Sequence, residues 1–399
     1  MTKHLDNACC GFITDASALT AFCYDDGQYL CASDWPKILD TQKRPQEADQ
    51  SWPWLDQLEW FEQLKQFENI HGHQQNYQYA LLRVYEKQQL ILWLPLRISL
   101  DRHFIEALSN YYSPEVIPVV VKTSALPSST VWALLFQAIT TLWPHWRQLS
   151  LQPLSATTLD TLQQIGSKEL GMLFSPAGYN WRANAQSKEE YWNKRQSQLI
   201  NTINRKKKKL RQQHADIQIF QRLTPELLKD YWHIYQQSWK QPEPGTEFID
   251  WLLAFSSQNG QLRLGIMYID HQPVAFQFWL VQKQQAAIVK LAQDQAFDAL
   301  SPGTVLMAAM IDHVMTSDFV TDIDFLTGND AYKVQWMDQC DVLYKSDIIN
   351  CQHFYGKLQF AKLNMRRHLK HLKSTLQQCV ALLKTALGTH SGKAGVSRD

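Results

Sequence analysis

From Ser187 to Arg211 no Gly or Pro interrupts the chain, and Trp192, Leu199, Ile203 and Leu210 recur at steps of seven, four and seven. That spacing places them on one helical face and predicts a long amphipathic helix. Ile217 to Gln221 alternates as a strand, and Thr224, Pro225 and Glu226 signal the start of a helix that runs to about Lys240. A second helix follows Gly245. Leu262 to Ile269, Val274 to Val281 and Ala286 to Ala292 are apolar runs, the first two separated by the turn-like Asp270, His271, Gln272 and Pro273. They predict an antiparallel meander. Ser301, Pro302 and Gly303 open a helix as cap and first turn, with Leu306, Met310 and Val314 along one side, and Asp322 to Leu326 predicts a short buried strand. A further helix, a strand near Asp341 to Ile349 and a long basic helix complete the order.

The first half repeats part of this order. It has a hairpin at Tyr77 to Arg97 turning through Glu86 and Lys87, then a strand at Ile117 to Val121. A helix over 128–143, a strand over 148–152, a helix over 156–170 and a strand over 172–181 follow. The chain therefore reads as a structural duplication with diverged halves. The apolar stretch Val131 to Trp143 stops before Pro144, short of the ~20 residues needed to span a bilayer, and predicts a buried helix.

A length of 399 residues argues for two domains and permits two full cores. Lys plus Arg is 39 against 38 Asp plus Glu, so any anionic partner must bind a local patch rather than the whole molecule. Charged residues are only 19%, and 42 scattered Gln fill the deficit as solvated surface. The seven Cys contain no Cys-x-x-Cys, which indicates neither a zinc framework nor a disulfide scaffold and suits reduced thiols in the cytoplasm. The first thirty residues include four Asp and no unbroken apolar core, a poor signal peptide. His71 and His73 could reach one metal, but without a third ligand in the pattern a plain loop is favoured and no metal is expected.

Candidate chemistry gathers between Ser238 and Trp336. Ser301 can cap the helix beginning at Pro302, and Gly303 lets backbone approach a ligand, so the amides of Gly303 and Thr304 offer an anion site suited to a pyrophosphate. An ordinary helix start reads the same way. Asp324 lies near a strand end in an apolar neighbourhood, and Tyr332 and Lys333 follow a turn at Gly328 and Asn329. Tyr332 could give a proton to a leaving group, and Lys333 could neutralise phosphate or a developing oxyanion. Alternatively Asp324 caps the next turn and Lys333 pairs with Asp330. Glu243, between Pro242 and Pro244, is a candidate general base or acceptor anchor; its alternative is a solvated loop carboxylate. Trp239, Lys240, Lys290 and Asp294 are candidate substrate contacts. Arg205 to Arg211 holds six basic residues in seven, suited to tRNA, to an anionic membrane surface or simply to water.

Three motifs carry a family resemblance: Ser-Pro-Gly-Thr at 301–304, Asp322-Ile-Asp-Phe-Leu-Thr-Gly-Asn-Asp-Ala-Tyr-Lys333 and Ser238-Trp-Lys-Gln-Pro-Glu243. With the order of elements after residue 215, they resemble GNAT-superfamily acyltransferases of the cellulose-biosynthesis acetyltransferase type, related to Fem-type peptidoglycan aminoacyltransferases. The likeness covers roughly residues 190–350 and, more loosely, the first half, including Leu108-Ser-Asn-Tyr-Tyr112. It implies an α+β protein of tandem GNAT-like domains, each a mixed, mostly antiparallel sheet flanked by helices, with a degenerate first copy. The expected division is an N-terminal extension (1–50), a degenerate domain (51–186), an acyltransferase domain with a basic linker helix (187–387) and a tail (388–399).

The resemblance implies transfer of an acyl group, acetyl first, from acyl-CoA as co-substrate to an amine or hydroxyl on a glycan-like or cell-envelope precursor, with no tightly bound cofactor. Gln293 to Ser301 contains no Gly, whereas the superfamily's phosphate loop has two or more at close spacing. An aminoacyl-tRNA donor, as in the Fem type, is the alternative; an inert scaffold is the third. The first half has no counterpart of Asp324 to Lys333, so it is expected to wall the acceptor cleft rather than to hold a site.

Overall fold

Strand β12 (Gln272–Gln282) shows how the sequence builds the centre of the molecule. Phe276, Phe278 and Leu280 enter one core while Ala275, Trp279 and Val281 enter a second, because successive side chains point to opposite faces of a sheet. A strand apolar at nearly every position is thus buried on both sides. The computed structural model describes residues 13–14, 19–25, 28–29, 63, 66–67, 77–86, 89–109, 119–120, 128–165 and 168–369. The paired His71 and His73, the Asn110 to Tyr112 part of the first-half motif and the tail at 388–399 lie outside these residues.

The first half contributes β1 (Ile13–Thr14), β2 (Leu19–Asp25), β3 (Gln28–Tyr29), β4 (Tyr77–Glu86), β5 (Gln89–Ser99), β6 (Phe104–Ala107), β7 (Val119–Val120), α1 (Ser128–Leu142), β8 (Gln148–Leu154), α2 (Ala156–Gln164) and β9 (Leu170–Asn184). The second contributes α3 (Lys188–Asn193), α4 (Ser197–Arg211), β10 (Ala215–Phe220), α5 (Pro225–Gln237), α6 (Thr246–Gln258), β11 (Leu262–Ile269), β12, β13 (Gln285–Gln293), α7 (Pro302–Ser317), β14 (Asp322–Thr327), α8 (Lys333–Trp336), β15 (Gln339–Asn350) and α9 (354–369). Helices α1, α5 and α6 pack in one core, and α4 and α7 in the other, so the sheet has helical layers on both faces.

All these strands join one sheet, ordered β1-β2-β4-β5-β6-β8-β15-β9-β14-β13-β12-β11-β10, with β3 on β2 and β7 on β5. From β2 to β10 the order is palindromic in kind. In each half an antiparallel run ends in a parallel pair joined through a helix: β6 with β8 through α1, and β13 with β14 through α7. Each half's last strand then crosses over. β15 pairs with β8 of the first half, β9 pairs with β14 of the second, and β9 and β15 pair along their lengths from Gln339↔Arg182 to Asn350↔Leu170. The α+β class and the duplicated GNAT-like architecture are as the order of elements implied.

Three local expectations change. The single helix over 187–211 is two, α3 and α4, broken at Lys194 to Gln196, where Gln196 is extended. The cause is Arg195, whose buried guanidinium pairs with Asp338, donates from Nε to the Tyr191 carbonyl at 3.2 Å and lies 4.4 Å from the Tyr191 ring centre. In the first half the expected strand at 117–121 is described at Val119–Val120, which pairs with β5, and the strand parallel to β8 is β6, which was not expected. Helix α2 stops at Gln164 rather than near 170.

Candidate active site

Strands β13 and β14 pair in parallel only at Gln285, Ala286 and Ala287 against Asp322, Ile323 and Asp324. Beyond Ala287 they separate, and a bulge at Val289, between the pairs Trp279↔Ile288 and Phe278↔Lys290, bends β13 away. A cleft opens between the splayed ends, as sheet crevices do where parallel strands part.

Two cavities meet there, sharing Leu291 and Tyr332 in their walls. The larger, about 460 Å³, is lined by Gly303, Thr304, Gln277, Gln293, Trp239 and Trp336 among others. The smaller, about 110 Å³, is lined by Lys240, Lys290, Lys333, Asp330, Phe325 and apolar residues of α6. Tyr332 therefore stands at the junction, its ring 41% exposed and edge-on to Phe325 at 5.6 Å.

The helix start on the larger cavity differs from its expected form. Ser301 takes a left-handed φ of 52° and makes no side-chain cap; its Oγ donates instead to the Asp298 carbonyl at 3.3 Å. The Gly303 amide donates to Gln293 Oε1 at 2.9 Å, and Gln277 Nε2 donates to the Gly303 carbonyl at 3.1 Å. The Thr304 amide turns back to the Ser301 carbonyl at 3.2 Å. A side-chain amide thus occupies the position where a phosphate oxygen would meet Gly303.

The smaller cavity is a lysine cluster. Lys290 Nζ donates to Glu243 Oε2 at 2.6 Å, with both side chains almost fully enclosed. Burial pushes the Lys290 ammonium below the ordinary lysine range, and Glu243 opposes that shift. Glu243 is neither a solvated loop carboxylate nor part of the cavity wall; it anchors Lys290 from behind. Lys333 donates to the carbonyls of Phe325 and Thr327, both at 3.1 Å, and lies 3.7 Å from Asp330. Burial lowers its proton affinity too, against the pull of Asp330. Gly328, at φ 133°, makes this fit possible, since a Cβ there would come within 2.9 Å of Lys333 Nζ. Lys240 lies with its ammonium 5.7 Å from the Trp239 ring centre, and Glu243 and Asp330 attract it electrostatically. Burial first, then repulsion from Lys290, depresses its proton affinity.

Asp324 and Asp294 lie outside both cavities. Asp324 immediately precedes Phe325 of the smaller cavity's wall and attracts Lys333 there electrostatically. It accepts from Arg182 Nε at 3.0 Å, Asn180 Nδ2 at 3.2 Å and the Leu326 amide at 2.7 Å. Burial raises its pKa above the usual carboxylate range, and the Arg182 guanidinium resists the rise. Its observed contacts hold the left-handed turn at Leu326, φ 55°, against β9. Asp294 Oδ1 accepts from the Ala296 amide at 2.8 Å and starts the 3₁₀ turn Gln295–Leu300.

Sequence reasoning missed Gln277, Gln293 and Arg182. Gln277 carried a readable signal, being the one polar residue within Val274 to Val281. Along α4, Leu199, Ile203 and Leu210 are buried while Arg205, Lys207, Lys208, Lys209 and Arg211 are exposed. Lys206 is engaged, donating to the Ala299 carbonyl at 2.6 Å. Among the described residues no group of three or more His, Cys, Asp or Glu could hold a metal ion.

Residues 197–334 match the family described as acetyltransferase (GNAT) domain. That match lies within the second half of the chain. No curated protein matches the chain in sequence. Among solved structures, FemX is similar at TM-score 0.51 and 8% identity over 79% of this chain and 95% of that one. A conserved protein of unknown function from Bacteroides thetaiotaomicron aligns at TM-score 0.47 and 12% identity over 72% and 90% of the two chains. L-PGS from Bacillus licheniformis aligns at TM-score 0.42 and 9% identity over 75% and 95%. At these identities FemX speaks for the fold alone.

Proposed function

We propose that the protein transfers an acyl group from a thioester donor, acyl-CoA, to an amine or, less readily, a hydroxyl acceptor of cell-envelope or glycan-precursor type. The observation that carries this reading is the placement of Tyr332 where two cavities meet beside the splayed end of β13. Beyond Ala287 that strand has no partner on its β14 side among the described residues, so its backbone can pair with an extended donor arm. The donor's phosphates lie toward Gly303 and Thr304, with the Gln293 side chain turning aside, and the acceptor enters from the lysine-lined cavity.

The acceptor nitrogen attacks the thioester carbonyl carbon; the tetrahedral oxyanion collapses with cleavage of the C–S bond. Tyr332 gives its hydroxyl proton to the departing sulfur, and the proton lost by the nitrogen restores the hydroxyl through water at the exposed rim. Lys240 and Lys333 stabilise the developing negative charge, and with Lys290 they favour an acceptor that carries a carboxylate or phosphate. Asp324 and Glu243 act by holding Leu326 and Lys290 in place. Native mass spectrometry with acyl-CoAs, followed by turnover with amine acceptors with and without an anionic group, tests this reading. No acyl-CoA binding would end it.

A second reading, an aminoacyl-tRNA donor, is favoured by the Gln293 side chain on the Gly303 amide and by the exposed basic residues of α4. Salt-sensitive retention of charged tRNA, lost when Arg205 and Lys207 to Lys209 become Gln, distinguishes it.

A further inference from the structure

Helix α9 packs one face on the sheet and leaves the other apolar and uncovered by the described residues. Gly356 lies against the backbone of Asn350, and Phe360 sits over Gly171. On the opposite side Phe354, Leu358, Met365 and Leu369 are 76%, 56%, 59% and 57% exposed. At about 100° per residue these four fall within an arc of about 60°, a continuous stripe rather than scattered apolar positions. Lys362 and Arg366 run along one side of the stripe, Lys357 and His368 along the other.

Charge singles out the same segment. Residues 348–398 carry nine Lys or Arg and no Asp or Glu, whereas residues 1–347 carry 37 acidic against 30 basic residues. A nearly neutral protein thus has its most one-sidedly basic sequence where the exposed apolar stripe lies, with four of the nine cations on α9 itself.

We propose that α9 seats the protein on an anionic lipid surface, with the stripe in the headgroup region and the flanking cations on lipid phosphates. A basic amphipathic helix with large apolar residues has the two parts such binding needs, apolar burial and attraction to anionic headgroups. RNA would satisfy the cations and leave the stripe in water. A second copy of α9 would cover the stripe but bring its own basic rows against these. The net negative charge of the rest of the chain would turn away from the same surface, so binding would also fix orientation. This inference is independent of the acyl-transfer reading.

The test is sedimentation of the full-length protein with vesicles of phosphatidylcholine alone or of phosphatidylcholine mixed with phosphatidylglycerol. Binding is expected only to the second, weakening as salt is raised. Lys362→Gln with Arg366→Gln should weaken it by about fivefold per charge, and Leu358→Ser, Met365→Ser and Leu369→Ser together by more than about tenfold. The melting temperature should stay near that of the parent, because these side chains are exposed; if the triple variant unfolds, the charge pair still decides. Equal binding to both vesicle types, no binding to either, or full binding by the charge variant would overturn the proposal. So would a concentration-dependent dimer that the same Ser substitutions dissolve without any vesicle binding, which would make a second copy the occupant.

Discussion

Lys290 Nζ lies 2.6 Å from Glu243 Oε2, and this buried pair ties the loop between α5 and α6 to the bulged end of β13. Removing one partner strands a charge that burial has already made costly. Glu243→Gln should therefore lower stability by about 3 kcal/mol or more. Glu243→Gln combined with Lys290→Met should recover much of that loss. Denaturant titration of both variants checks the pair, and an unaffected single variant would mean that water reaches it.

Tyr332→Phe should reduce kcat by about 10²-fold or more while leaving donor affinity and melting temperature near those of the parent. The ring is partly exposed and its contact with Phe325 survives the change, so a loss of turnover reports on the hydroxyl. Unchanged turnover would reduce Tyr332 to packing, and an assay silent in the parent with every donor would favour a scaffold.

The Gly303 amide is predicted to exchange Gln293 for the donor. Gln293→Ala should then tighten donor binding, by about fivefold if one modest competing hydrogen bond is removed. Gly303→Val should weaken it, because a Cβ there already comes within 2.7 Å of Gln293 Oε1. Calorimetric titration reads both. Weaker binding in Gln293→Ala would instead make Gln293 a donor contact.

Lys240 gives a prediction with a pH signature. Its folded-state proton affinity is depressed, so its charged form destabilises the native state at neutral pH, and the penalty vanishes as pH rises through the ordinary lysine range. Lys240→Met should raise stability at neutral pH by about 1 kcal/mol, with the gain shrinking toward alkaline pH. The same change should impair use of anionic acceptors. A melting-temperature series against pH supplies the first part, and a gain that grows with pH would contradict it.

Much of the second half was legible because its elements are long and periodic: the meander, α7 and the buried turns of α4 follow from apolar spacing alone. Tyr332 and Lys333 reach the cleft because they follow a short strand whose end faces a sheet crevice, and Gly303 and Thr304 because they begin α7. Pairings between distant segments were not legible. Glu243 and Lys290 are 47 residues apart, and Asp324 meets Asn180 across 144. Nothing local marks either, so a carboxylate that anchors a lysine and one that holds a turn both resembled catalytic groups. The four residues of β6 were too few to show a period.

The crossing of β9 and β15 sets an order of events during synthesis. Ser150 Oγ donates to Asp347 Oδ1 at 2.6 Å, so β8 acquires its outer neighbour only when a segment 197 residues later has been made. Until then the first half emerges from the ribosome with an open sheet edge flanked by apolar side chains. Its completion belongs to the same moment as the second half's, and a chain released early would leave that edge available to pair with other molecules.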